Sequence, residues 1–180
     1  NRFNTENMQY RPTEYEKVIS WKKTDIHQDL QDRVDEFNPD IIFWGGLSSH
    51  IHGEGEYSSV QYGHQLVYQL KTRALRLAAG LQATADPSLV LRLFPGIDAV
   101  IGGESEMVLA GIADQIGAGK YEPASVPGLA YRDDHQGKVV VNPRQWILSD
   151  LDEISPYDYS LFDDMSLWRP YNGRVVRAVD

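Results

Sequence analysis

The stretch Asn38-Pro39-Asp40-Ile41-Ile42-Phe43-Trp44-Gly45-Gly46 sets an apolar run between a proline and a glycine pair. A continuous run of this kind suits a strand buried on both faces, as in a parallel sheet. The proline closes whatever precedes it, because the residue before proline disfavours the helical region. What precedes it reads as a helix. Asp25 is its expected N-cap, with Gln28 three residues on in a capping-box pattern, and Ile26, Leu30, Val34 and Phe37 recur at helical spacing. Further upstream, 16–21 (Glu-Lys-Val-Ile-Ser-Trp) is a short strand candidate behind a polar, unpatterned lead-in.

Downstream, the same alternation repeats. A polar loop over 48–59 leads to a second helix marked by Tyr62, Leu66, Leu70 and Ala74, and Leu75 to Ala79 forms a strand that stops at Gly80. Asp86-Pro87 starts a third helix, since aspartate caps and proline fits the first turn, with Leu89, Val90, Leu93 and Phe94 as its apolar stripe. Ile97 to Ile101 is a strand closed by Gly102-Gly103. Ser105 then caps a helix whose Val108, Leu109, Ile112, Ala113 and Ile116 face inward. Strands alternating with helices imply a parallel α/β sheet with right-handed crossovers. The glycines gather where strands end, the edge at which such sheets bind ligands.

After residue 120 the pattern changes. Leu129-Ala130-Tyr131-Arg132 and Lys138-Val139-Val140-Val141 flank a glycine-containing turn and read as an antiparallel hairpin. The expected organisation is an α/β domain over 1–120, a hairpin extension over 121–145 and an acidic connector over 146–180.

Composition narrows the function. The 180 residues weigh 20.4 kDa, the size of one domain, and contain no cysteine. Disulfides, thiolate metal sites and cysteine nucleophiles are therefore excluded within them. A cysteine-free chain fits a reducing compartment, and a cytoplasmic protein is expected. The net charge is −9, and residues 149–164 hold six acids with no Lys or Arg. No basic stripe offers itself to phosphates, so nucleic acid is not an expected partner. No apolar run approaches the roughly 20 residues of a membrane span.

Four places carry candidate chemistry. The strand-end glycines Gly45-Gly46, Gly80 and Gly102-Gly103 allow a close backbone approach to a cofactor, although tight turns need glycine as well. Neither GxGxxG nor GxxxxGK[ST] follows a strand, which disfavours a dinucleotide site or a P-loop. His50 and His52, with Glu54, Glu56 and His64, put imidazoles and carboxylates at short spacing, as a stand-alone metalloprotein would, but match no fixed ligand template. Asp25 and His27 can pair, yet ordinary helix capping explains them. Glu104 and Glu106 sit where a helix dipole favours negative charge.

In chain order, 38–47, 78–87 (Ala-Ala-Gly-Leu-Gln-Ala-Thr-Ala-Asp-Pro) and 95–106 (Pro-Gly-Ile-Asp-Ala-Val-Ile-Gly-Gly-Glu-Ser-Glu) resemble the cobalamin-binding domain of radical SAM enzymes. Val126-Pro127-Gly128-Leu129-Ala130-Tyr131-Arg132 resembles the hairpin of those enzymes, and Asp150-Leu151-Asp152-Glu153-Ile154 with Pro156 their linker. The resemblance covers about residues 38–164. It implies a flavodoxin-like (Rossmann-like) domain that holds cobalamin over its strand ends, against Gly45, Gly46, Leu47, Ser48 and Ser49, then Gly80, Leu81, Ala83 and Thr84, then Gly102, Gly103, Glu104 and Ser105. It also implies a radical SAM barrel in the same polypeptide. That barrel carries a CxxxCxxC motif for a [4Fe–4S] cluster and S-adenosylmethionine, and acts on a small-molecule or peptide substrate as a methyltransferase or cyclase. With no cysteine here, the barrel is expected beyond these residues and the catalytic step with it. A scaffold domain that binds no cobalamin is the alternative.

The sequence departs from the family at several points. Gly45 stands where a Ser-x-Leu motif has its serine, with Leu47 retained, and Ala79-Gly80 replaces a glycine pair. The axial-ligand motif DxHxxG is absent; Asp25-Ile26-His27 mimics it, but Leu30 replaces its glycine and the segment comes one βα unit too late. The first strand of the 2-1-3-4-5 order is expected to be missing, or replaced by the segment near 15–21.

Overall fold

The computed structural model describes residues 25–45, 57–133, 137–144, 168–171 and 174–177, with single positions at 152, 154, 158 and 160. The strand candidate at 16–21 lies outside them. The element order is α1 (Ile26–Phe37), β1 (Ile41–Trp44), α2 (Tyr57–Gln69), β2 (Leu75–Ala78), α3 (Leu81–Ala85), α4 (Pro87–Leu93), β3 (Ala99–Ile101) and α5 (Glu106–Gly117). A 3-10 turn at Pro123–Ser125 follows, then β4 (Leu129–Asp133) and β5 (Lys138–Val141). Further along, β6 (Trp168–Tyr171) and β7 (Arg174–Arg177) pair antiparallel as a separate ribbon, which the sequence reading did not foresee.

The main sheet runs in the order β1-β2-β3-β4-β5. Its first three strands are parallel, with Ile41 opposite Leu75 and Leu77 opposite Ala99. The hairpin is not appended beside the sheet. It joins the sheet, β4 pairing antiparallel with β3 through Ile101–Leu129, Val100–Ala130 and Ala99–Tyr131. The α/β architecture is therefore mixed, parallel at its start and antiparallel at its end.

Side-chain alternation along the strands divides the core into two layers. Ala78, Val100 and Ala130 face α2, α3 and α4, where Val67, Ala83, Val90, Leu91 and Phe94 close over them. Leu77, Ala99, Ile101 and Leu129 face the other way, under Ile112 of α5 and Val126. All three residues of β3 are buried.

Several expected stripes shift. Along α4 the buried face is Val90, Leu91 and Phe94, while Leu89 and Leu93 are exposed. Helix α2 ends at Gln69, so Leu70 and Ala74 are buried from the connection and not from the helix. There Thr72 Oγ1 accepts from the Ala74 N–H and Arg76 Nη2 donates to the Leu70 carbonyl. Helix α1 forms as expected, but it buries none of its residues among those described, and Phe37 is 82% exposed. Asp25 caps it by accepting from the His27 N–H at 2.9 Å. Gln28 does not complete the capping box; it turns to Asp32. Strand β1 is half-buried, with Phe43 exposed, because β2 is its one neighbour among the described residues. Asp86 Oδ1 accepts from the Leu89 N–H at 2.8 Å, as its position before Pro87 predicts.

Arg132 ties the hairpin to the parallel half. Its guanidinium donates to the carbonyls of Leu91, Phe94 and Ile97, the chain ends of α4 and the turn that follows. A cation suits the negative end of a helix, and the Leu91 carbonyl has no intrahelical partner because Pro95 has no N–H to give; the Phe94 carbonyl also accepts from the Ile97 N–H. Arg132→Met keeps the apolar stem and removes the donors. It should lower the unfolding free energy by about 2–3 kcal/mol, read as an earlier urea midpoint at unchanged slope. A loss below about 0.5 kcal/mol would mean that the carbonyls find water instead.

Candidate cofactor-binding edge

Because β1, β2 and β3 are parallel, their C-terminal ends share one edge of the sheet. Gly45 follows β1, Gly80 follows β2, and Gly102-Gly103 follows β3. Gly80 has φ 131° and Gly103 has φ 92°, conformations that a residue with a Cβ rarely adopts. The last two loops are joined: Thr84 Oγ1 accepts from the Gly103 N–H at 2.8 Å. The Gly102 N–H donates to the Gly128 carbonyl at 3.0 Å. Both amides are thus committed inside the chain. Gly102 is buried, and Gly80 and Gly103 are partly exposed.

Two apolar side chains are exposed beside them. Leu81 opens α3 and is 54% exposed; Met107, in the first turn of α5, is 40% exposed. Ala83 faces the core with no exposed surface. Glu104 is exposed, and Ser105 occupies the N-cap of α5 without a side-chain cap bond. Gly46, Leu47, Ser48 and Ser49, with His50 and His52, lie outside the described residues.

His64 is described, and it is engaged. Its Nε2 accepts from the Gly96 N–H at 3.1 Å, so its proton resides on Nδ1. Its ring stacks on Tyr68 at 5.8 Å and lies 4.9 Å from Phe94. Burial lowers its pKa from the ordinary 6.5. Among the described residues no group of three His, Asp or Glu could hold a metal ion.

Sequence reasoning missed Arg144. Strand β4 runs away from the edge and β5 runs back to it, so the residues after β5 arrive beside the glycines. Asn142 fixes this exit by donating to the carbonyls of Pro123 and Val126, and the Gly128 N–H donates to the Pro143 carbonyl. Arg144 then donates to the Thr84 carbonyl. A Cβ on Gly102 would stand 3.2 Å from Arg144 Nη2. The signal available in advance was a hairpin ending at Pro143 with an arginine next; it needed the antiparallel register to be interpretable.

A hollow of about 880 Å³ lies at the opposite edge, lined by Asn38, Asp40, Leu75, Asp98 and Tyr121 among others. Burial, then the charge of Asp98, pushes the Tyr121 hydroxyl up to about 12, so it stays protonated there.

No protein-family model matches the chain. The anaerobic magnesium-protoporphyrin IX monomethyl ester cyclase of Rubrivivax gelatinosus is 25% identical over 156 residues, covering 84% of this chain and 27% of that protein. An uncharacterised methyltransferase of Pyrococcus horikoshii is 26% identical over 146 residues, covering 81% and 30%. The radical S-adenosylmethionine methyltransferase TsrM of Kitasatospora setae has been solved with cobalamin and a [4Fe–4S] cluster bound. It matches with a TM-score of 0.52 at 18% identity, over 74% of this chain and 24% of TsrM. Over most of its length this chain is distantly similar to the N-terminal part of cobalamin-dependent radical SAM enzymes. It spans 27–30% of the length of those two curated relatives, and the likeness to TsrM is one of fold. No helix among the described residues is long and apolar enough to cross a membrane.

Two outcomes follow from the hydrogen bonds. Thr84→Val removes the acceptor of the Gly103 N–H and should cost about 1–2 kcal/mol of stability, with Thr84→Ser restoring most of it in a urea titration. For His64 the sign is set by its lowered pKa. Above 6.5 both folded and unfolded histidine are neutral, and nothing changes with pH. As pH falls below 6.5 the unfolded chain takes up the proton first, so stability is lost until the folded pKa is passed. His64→Gln should therefore flatten the fall in urea midpoint between about pH 7.5 and 5.5 relative to wild type; an identical slope would exclude His64 as its source.

Proposed function

We propose that this chain is the cobalamin-binding domain of a radical SAM enzyme of the methyltransferase or cyclase type. The observation that carries the reading is the paired glycine edge, where Gly80 and Gly103 adopt positive φ at the C-terminal ends of parallel strands and Thr84 locks the two loops together. Open α/β sheets bind ligands at this edge. The distant similarity to cobalamin-dependent enzymes supports the same assignment.

When bound, cobalamin supplies a cobalt centre for one-carbon or electron chemistry. The residues of this chain bind and orient. Gly80 and Gly103 add no side chain of their own to the edge, Leu81 and Met107 offer apolar contact beside it, and the Thr84 hydroxyl joins the two loops. Gly45, Gly46, Leu47, Ser48 and Ser49 would complete the floor after β1, and Glu104 and Ser105 its far side. None of them serves as a catalytic acid or base in this reading. The [4Fe–4S] cluster, S-adenosylmethionine and the small-molecule or peptide substrate belong to a barrel domain of the same polypeptide.

A scaffold that binds no corrin is the second reading. It is favoured by the internal commitment of the Gly102 and Gly103 amides, which leaves the floor without those two donors.

Reconstitution with hydroxocobalamin, desalting and a visible spectrum separate the two. Retained corrin absorbance is expected; a colourless, folded protein means the scaffold. Leu81→Glu places a charge on the apolar rim at an exposed position, and should cut retention several-fold while leaving the thermal midpoint unchanged.

A further inference from the structure

Resting on the cobalamin reading, we infer that Arg144 contacts the phosphodiester of the cofactor's nucleotide tail, and thereby selects a complete cobalamin over a corrin that lacks the tail. The side chain is laid along the glycine floor itself. Its Cγ is 3.6 Å from a Cβ built on Gly128, its Cδ 3.8 Å from one on Gly103, and its Nη2 3.2 Å from one on Gly102. Alanine at 102 would force the guanidinium to give way, so this glycine makes room for the arginine as well as for a turn.

Geometry leaves the guanidinium available. Arginine has five N–H donors in a planar fork, and among the described residues the Thr84 carbonyl takes one of them. Arg144 is exposed, and it faces no carboxylate among the described residues. The fork matches a phosphate oxygen pair in a way that a lone backbone amide cannot.

A cation at this edge offsets the carboxylates beside it. Glu104 and Glu106 flank the β3 loop, and both are exposed. An anionic tail brought onto the same loop meets their charge. The Gly102 and Gly103 N–H groups, which might have offset it, are used internally. Arg144 lies directly on those glycines. The tail end of the cofactor is therefore expected over the loops after β2 and β3, on the side where β5 returns.

The competing explanation is mechanical: Arg144 merely staples the hairpin exit to the end of α3. The experiment separates the two by using two ligands. Cobinamide ends before the nucleotide and has no phosphodiester; hydroxocobalamin has it. Both are titrated into the 180-residue chain and followed by visible absorbance, for wild type, Arg144→Gln and Arg144→Lys, with the thermal midpoint of each apoprotein recorded alongside. Arg144→Gln should weaken hydroxocobalamin about tenfold and leave cobinamide unchanged, and Arg144→Lys should fall between. An equal loss for both ligands, or a loss for neither, overturns the phosphodiester contact while leaving the cofactor reading standing. Tighter hydroxocobalamin binding by Arg144→Gln overturns it too, since the arginine would then be a plug. A wild-type chain that retains neither corrin overturns the cofactor reading, and this contact with it.

Discussion

Everything in this fold hangs on β3. Ala99, Val100 and Ile101 are buried on both faces, with a parallel neighbour on one side and an antiparallel neighbour on the other. A strand so short contributes few backbone hydrogen bonds of its own, so its place depends on being covered. Val100 packs under α4, and Ala99 and Ile101 pack under α5. Each face supplies apolar burial worth on the order of 25 cal/mol per Å². Asp98, just before the strand, accepts from the Arg76 N–H and aligns β2 and β3 at their entry. The glycine loop after β3 is positioned by a strand that is paired on both sides and covered on both faces.

From that fixed strand the edge is assembled by non-local bonds. Thr84 reaches 19 residues along the chain to Gly103, and Arg144 reaches 60 back to Thr84. The α3 turn therefore mediates between the β3 loop and the hairpin exit. A ligand laid on this edge would meet a floor already braced from both sides, so little ordering remains to be done at the moment of binding.

How much of this was legible in the residues depends on range. Local signals were readable: Asp86-Pro87 as a helix start, the glycines at strand ends, and the hairpin over 129–141 all stand where their chemistry puts them. Burial at a distance was not. Leu89 and Leu93 read as core, yet the helix turns Leu91 inward instead, because the face that meets Val100 and Ala130 is set by the sheet. The apolar run of β1 reads as a strand buried on both faces, yet its burial depends on neighbours that no local pattern names. The bonding roles of arginines 132 and 144 were not legible in advance. An arginine after an apolar strand is ordinarily a solvated charge, and only the register of β4 and β5 reveals which carbonyls lie in reach. At the candidate edge, the positions of the glycines were foreseen, but the internal use of their amides was not.

The antiparallel turn of the sheet has a consequence for modularity. Cutting after Lys120 would take one neighbour from β3, strand the Gly102 amide, and uncap the end of α4, since Gly128 and Arg132 supply those contacts. The smallest piece that could be exchanged between larger proteins with its core closed therefore extends through Arg144. The chain reversal that follows α5 is the clasp of the module rather than its exit.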